Sequence, residues 1–155
     1  MTEPYIVANA SPFIALERIG QPHLLPALIE QLWIPPAVRW EVFASKPLPD
    51  WVTESPLQQP LAPRMISVKL GNGEREAIAL ALELQAIELI IDDLPARRLA
   101  ISLGLPIIGT VGLLLRAKKK GLVATVRPLL EDLQAQDFRI SERLFEGILT
   151  AAGEK

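Results

Sequence analysis

The sequence has no cysteine and a single histidine, and these two shortages remove whole classes of chemistry. Without cysteine there is no disulfide framework and no thiolate nucleophile, which fits a cytoplasmic protein. The lone imidazole, His23 in "QPHLLPALIEQLW", leaves neither a His-rich zinc site nor a Ser-His-Asp triad with a second histidine. It reads as a residue that caps or packs a helix start. Any metal ligands must be oxygens, which points to Mg²⁺ or Mn²⁺. Aromatic residues make up only 5% of the chain, too few for a base-stacking surface. No apolar run is long enough to cross a bilayer, and "MTEPYIVANASP" lacks the basic start of a signal peptide, so no membrane partner is expected. A formal charge of −2 excludes a uniformly basic nucleic-acid binder but leaves a local basic patch open.

What is present reads as one globular domain over residues 1–155, 50% hydrophobic and 22% charged. Short apolar runs alternate with helical patterns. "YIVAN" (Tyr5–Asn9) reads as a first strand, followed by a helix with Ser11 as N-cap, Pro12 at its first position and Gly20 as its stop. "HLLPALIEQL" reads as a second helix, "LWIP" as a short strand and "PAVRWEVFA" as a helix. Residues 46–63 hold five prolines and read as irregular, with one helical turn at most. "MISVKL" reads as a strand, and "EREAIALALELQA" is the strongest helical pattern in the chain. Strand "ELIIDD", helix "ARRLAISLG", strand "LPIIG" and helix "TVGLLLRAKKKG" follow. A further helix, a short strand "FRI" and a last helix opened by Ser141 complete the chain. This alternation predicts an α/β fold: three layers, α/β/α, around a mostly parallel sheet.

In such a sheet, ligands bind beyond the carboxyl ends of the strands. Asn9, Glu41, Glu74, Glu76, Asp92, Asp93 and Thr110 all fall at that edge by this reading. Each has an ordinary explanation too. An acid in the first turn of a helix gains about 0.3–1 kcal/mol from the dipole, so Glu74 alone needs no function. Asp93 can cap the helix that follows, Asp92 can pair with Arg97 or Arg98, and Thr110 can cap the next helix. Two adjacent carboxylates at about 4 Å and a dielectric of ~20 repel by roughly 4 kcal/mol, which calls for compensation. Acids from three separate connections make an oxygen-rich pocket for a divalent cation.

"IVANASPFIALERIG", "IPPAVRWEV", "LGNGEREAIALALEL" and "LIIDDLPARRLAISLGLPIIGTVGLLLRAKKKGLV" resemble the successive blocks of a PIN-like domain. The likeness, from about Tyr5 to about Gln134, is to a small bacterial branch similar to VapC-type toxin ribonucleases. It implies an α/β/α domain that cuts RNA with Mg²⁺ or Mn²⁺. Carried over residue by residue, the acidic set would be Glu41, Glu74 and one of Asp92 or Asp93, with Asn9 where the family usually has an aspartate. Ser11 would be the small hydroxyl residue after it, and Thr110 would stand near the pocket wall. The resemblance further implies homodimerisation and an antitoxin protein as partner. An amide oxygen at Asn9 can ligate a metal but adds no charge. A catalytically degenerate module that binds RNA or protein is therefore the competing reading. A phospho-acceptor receiver domain fits poorly, because its acid pair should end the first strand.

Cations complete the picture. Arg97 and Arg98, just past the aspartates, are candidates for contacting RNA phosphates. "RAKKKG" (Arg116–Gly121) reads instead as a solvated helix end favoured by the dipole. Trp33 and Trp40 read as core residues, and Trp51 is open between core and interface.

Overall fold

Short strands joined by single helices must run parallel, because each crossover returns the chain to the same sheet edge. The computed structural model, which describes residues 4–59 and 69–155, has this architecture. Its strands are β1 (Ile6–Ala8), β2 (Leu32–Ile34), β3 (Val52–Glu54), β4 (Glu88–Ile90) and β5 (Ile107–Ile108). They form one sheet in the order β3-β2-β1-β4-β5, with every neighbouring pair parallel. Eight helices accompany them among the described residues. These are α1 (Ser11–Arg18), α2 (Leu24–Leu28), α3 (Pro36–Phe43), α4 (Asn72–Leu84), α5 (Leu94–Ser102), α6 (Thr110–Lys119), α7 (Arg127–Ala135) and α8 (Glu142–Ala151).

Alternation within a strand sends neighbouring side chains to opposite faces, and the two faces carry separate cores. Val7, Leu89 and Ile91 pack with Ile78 and Leu80 of α4 and Leu99 of α5. On the other face Ala8, Leu32, Ile34 and Ile90 pack with α1, α2, α6, α7 and α8 through Leu16, Leu24, Leu113, Leu130 and Leu149. Helices cover both faces, which makes the three-layer α/β/α sandwich. Each fully buried Leu or Ile contributes roughly 1.5–3 kcal/mol.

The strand order also fixes where a ligand can bind. The chain builds outward from β1 through β2 to β3, then crosses back to place β4 on the other side of β1. The β1–β4 boundary is thus the point where the order reverses, the place where sheets of this kind offer a ligand crevice beyond the strand ends. Asn9 leaves β1 at this point, its N–H still donating to the Ile90 carbonyl at 3.2 Å. Asp92 leaves β4 directly beside it.

Several local expectations need correction. Ser11 is not an N-cap: it lies inside the first turn of α1, and its hydroxyl is engaged elsewhere. The second helix is only the five residues of α2, with Pro26 inside it. His23 occupies its N-cap position without a side-chain capping bond. The proline-rich stretch contains β3, paired to β2, because Val52 and Thr53 fall between prolines. Residues 138–140 are not a strand but an irregular connection. Most of "MISVKL" lies outside the described residues. Trp40 is 67% exposed rather than core. Trp33 is half-buried against Tyr5, and Trp51 stacks on Phe13 at 6.0 Å. Ser141 does cap the last helix, accepting from Leu144 N–H at 3.1 Å.

Candidate active site

Asn9 and Thr110 are the two polar side chains buried to the level of the core, at 2% and 0% exposure among the described residues. Burying such groups is costly unless they are hydrogen-bonded. Asp92 is the hub that satisfies Thr110. Its Oδ1 accepts the Thr110 backbone N–H at 2.7 Å, and its Oδ2 accepts the Thr110 hydroxyl at 2.6 Å. Thr110 therefore does not cap α6. Asp92, from the end of β4, holds the first N–H of that helix instead. The Ser11 hydroxyl joins the same carboxylate, 2.8 Å from Asp92 Oδ2 and 2.8 Å from Asn9 Oδ1. Asn9 Oδ1 also accepts the Ser11 N–H at 3.2 Å. One serine proton thus faces two oxygen acceptors at equal distance, a cluster richer in oxygen than in hydrogen.

A second acidic group forms where α3 meets α4. Glu41 is an exposed residue, but its carboxyl end sits against the backbone of Gly73 and accepts that residue's N–H. Its pKa is raised above the usual carboxylate value, first by desolvation there, then by the negative charge of Glu74 and, more weakly, of Glu76. Glu74 reaches back to the Gly71 N–H at 3.3 Å and closes the start of α4. Glu76 crosses to α3 and accepts the Ala37 N–H at 3.0 Å. The sequence reading places Glu76 at this edge beside Glu74, and the structure turns its carboxylate to the start of α3. Gly73 was missed: a Cβ there would overlap the Glu41 carboxylate. Gly109 plays the same part for Asp92, since a Cβ would stand 2.9 Å from its Oδ1 and 2.7 Å from Arg97 Nη1.

The two adjacent aspartates divide their work. Asp93 is the N-cap of α5 and accepts the Ala96 N–H at 3.2 Å. Asp92 belongs to the oxygen cluster. Arg97 is half-buried and donates to the Ile91 carbonyl at 2.9 Å, close to Asp92 across Gly109. Arg98 is exposed, with neither ion pair nor side-chain hydrogen bond among the described residues. Asn9, Ser11, Asp92 and Thr110 are thus brought into one hydrogen-bonded cluster, while Glu41 and Glu74 form a separate acidic pair.

The donors suit a hard divalent cation in kind, because all are oxygens: the Asn9 amide, the Ser11 hydroxyl and the Asp92, Glu41 and Glu74 carboxylates. A cation at Asp92 would relieve the proton shortage at Ser11, and one at Glu41 the repulsion from Glu74. In number of charged ligands the site is lean. Among the described residues no group of three or more His, Cys, Asp or Glu side chains is arranged to hold a metal ion. Asn9 is one reason, being neutral where another carboxylate would complete the set.

No helix among the described residues is long and apolar enough to cross a membrane. No curated protein matches the chain. The sequence model of the DUF3368 family, described as a PIN domain, matches residues 5–154. That span includes the ends of β1 and β4 and both acidic groups, so the chain belongs to the PIN-domain family.

Proposed function

We propose that this protein is a divalent-metal-dependent endoribonuclease and the toxin of a toxin–antitoxin pair. PIN domains are typically nucleases and generally use divalent metals, so hydrolysis of a phosphodiester is the family's ordinary chemistry. The observation that carries the reading is the Asn9–Ser11–Asp92 oxygen cluster at the sheet's switch point. Its donors are oxygens of the kind a cation site uses, and its charged member among the described residues is the Asp92 carboxylate.

Asn9, Asp92, Glu41 and Glu74 would hold the ion, Mg²⁺ or Mn²⁺. When bound, such an ion supplies an acidified water and neutralises charge on the phosphoryl oxygens. The protein's own contributions follow from its contacts. Thr110 and Ser11 fix the Asp92 carboxylate in one orientation, so no reorganisation is needed when substrate arrives. Glu41, its carboxyl end seated on the Gly73 N–H beside Glu74, would help hold the ion and so position its water. Arg97 and Arg98 would neutralise flanking phosphates of the RNA. An antitoxin protein and a homodimer are proposed from the likeness to VapC-type toxins alone.

A second reading, a silent PIN-like module that binds RNA or protein, is favoured by one feature: the neutral Asn9 in a site lean in carboxylates. Cleavage of a mixed single-stranded RNA pool in Mn²⁺, against an EDTA control, separates the two. Metal-dependent cutting by wild type that Asp92→Asn abolishes supports the nuclease. Cutting by Asn9→Asp alone would mean that the site survives short of one charge. Silence from both leaves the binding module.

A further inference from the structure

We propose that the groove beside α1 binds the base and ribose of a nucleotide flanking the phosphate cut at Asp92. The proposal deepens the nuclease reading and rests on it. The groove encloses about 300 Å³ between α1 and the turn that follows α7. That volume lies at the lower end of small-molecule sites and suits a single nucleotide better than a protein helix.

Three observations identify the occupant. The first is continuity. Ser11, Ile14 and Arg18 line the groove from one face of α1, at the helical spacing of i, i+3 and i+7. Ser11, at one end, is the residue whose hydroxyl touches Asp92 Oδ2. A ligand filling the groove therefore ends against Ser11, the residue that holds the candidate catalytic carboxylate. The second is the apolar wall. Ile14 is left 40% exposed beside core residues, and Phe138 stands half-buried opposite. Phe138 is placed by the turn that closes α7, where Asp137 adopts a left-handed φ of 63° and the Phe138 N–H returns to the Leu133 carbonyl at 3.0 Å. An aliphatic and an aromatic side chain lining one groove supply an apolar surface for a flat ring.

The third is the polar rim. Arg18, Gln136 and Asp137 line the groove, and none of their side chains makes an ion pair or hydrogen bond among the described residues. Arg18 is a cation with no ion-pair partner among the described residues, matched to a phosphate. An amide and a carboxylate are the groups that pair with base edges. An apolar surface, edge-reading groups and a cation together are the chemistry of a nucleotide.

The test follows the methyl group of Ile14 by NMR while each of the four 5′-ribonucleoside monophosphates is added in EDTA, with Ile87 and Ile101 as exposed controls. A saturating shift at Ile14, absent from both controls, is the expected result. Binding of a short uncut RNA by Ile14→Glu and by Arg18→Ala should weaken about tenfold, the scale of losing one base stack. Both positions are exposed, so thermal midpoints should not move. Unchanged RNA affinity in both variants, or no shift at Ile14 with any nucleotide, overturns the proposal. A shift that follows protein concentration instead would overturn it in favour of a second copy covering the groove. The titration needs neither metal nor turnover. Failure of the nuclease reading would appear only in the cleavage assay, and failure of the groove only here.

Discussion

At the scale of single residues, the candidate site depends on what is absent as much as on what is charged. Gly73 stands at the second position of α4, a place where alanine would normally raise helix stability by about 1 kcal/mol. Yet its missing side chain is the seat of the Glu41 carboxylate. Gly73→Ala should therefore leave the melting temperature unchanged or slightly raised, while pushing Glu41 out of position. If Glu41 acts as proposed, RNA cleavage in Mn²⁺ falls at least tenfold, the low end of what a misplaced catalytic group costs. Equal activity in wild type and Gly73→Ala would remove Glu41 from the mechanism. Gly109 differs, because Arg97 and Asp92 crowd it from two sides and an added Cβ has nowhere to displace them cheaply.

At the scale of elements, the pair Asp92–Asp93 ends one strand and opens one helix, and each aspartate serves a different one. Asp93→Ala removes the cap of α5 and should cost about 1 kcal/mol of stability, read from the urea midpoint. Cleavage by the folded fraction should be unchanged. Asp92→Asn should do the reverse, keeping the fold and losing the activity. This division was half legible in the sequence. The strand-end rule placed Asn9, Asp92 and Thr110 at one edge, and an aspartate before "LPARR" is an ordinary cap signal. Which aspartate did which work depended on Ser11 and Thr110, remote in sequence from Asp92, and no local pattern carries such a contact. The same limit explains Ser11, read as a cap when its hydroxyl had a better acceptor across the crevice. Three-residue runs were the other weak point. "FRI" and "VTE" look alike locally, but only the second lies beside a strand, β2, that needs a neighbour. Trp40 defeated the expectation that a tryptophan is buried. It lies on the outer face of α3, a helix whose only fully buried side chain is Val38.

At the scale of the whole molecule, two glutamates bind distant parts of the chain and respond to pH in opposite ways. Glu154 accepts the Val126 and Arg127 N–H groups and the Lys118 ammonium, joining the chain end to the start of α7 and the end of α6. These bonds, the one from Val126 foremost, hold its pKa below the usual carboxylate value. Its contribution is thus full above the unfolded pKa, about 4.3, and lost as pH falls through the lower folded value. Glu41 is the converse. Desolvation and its acidic neighbours raise its folded pKa, so the folded state holds a proton that the unfolded state has released. Stability from this group is present below the unfolded pKa and declines as pH rises through the folded one. Glu154→Gln should accordingly unfold at a lower urea midpoint than wild type at neutral pH, with the gap closing in acid. Glu41→Gln should unfold at a higher midpoint at neutral pH, by a few tenths of a kcal/mol once solvent screening is allowed for. Adding Mn²⁺ reverses that advantage, because the cation favours the ionised Glu41 and so stabilises wild type more than the variant. Mn²⁺ stabilising both proteins equally would place the ion away from Glu41, whatever the nuclease assay reads.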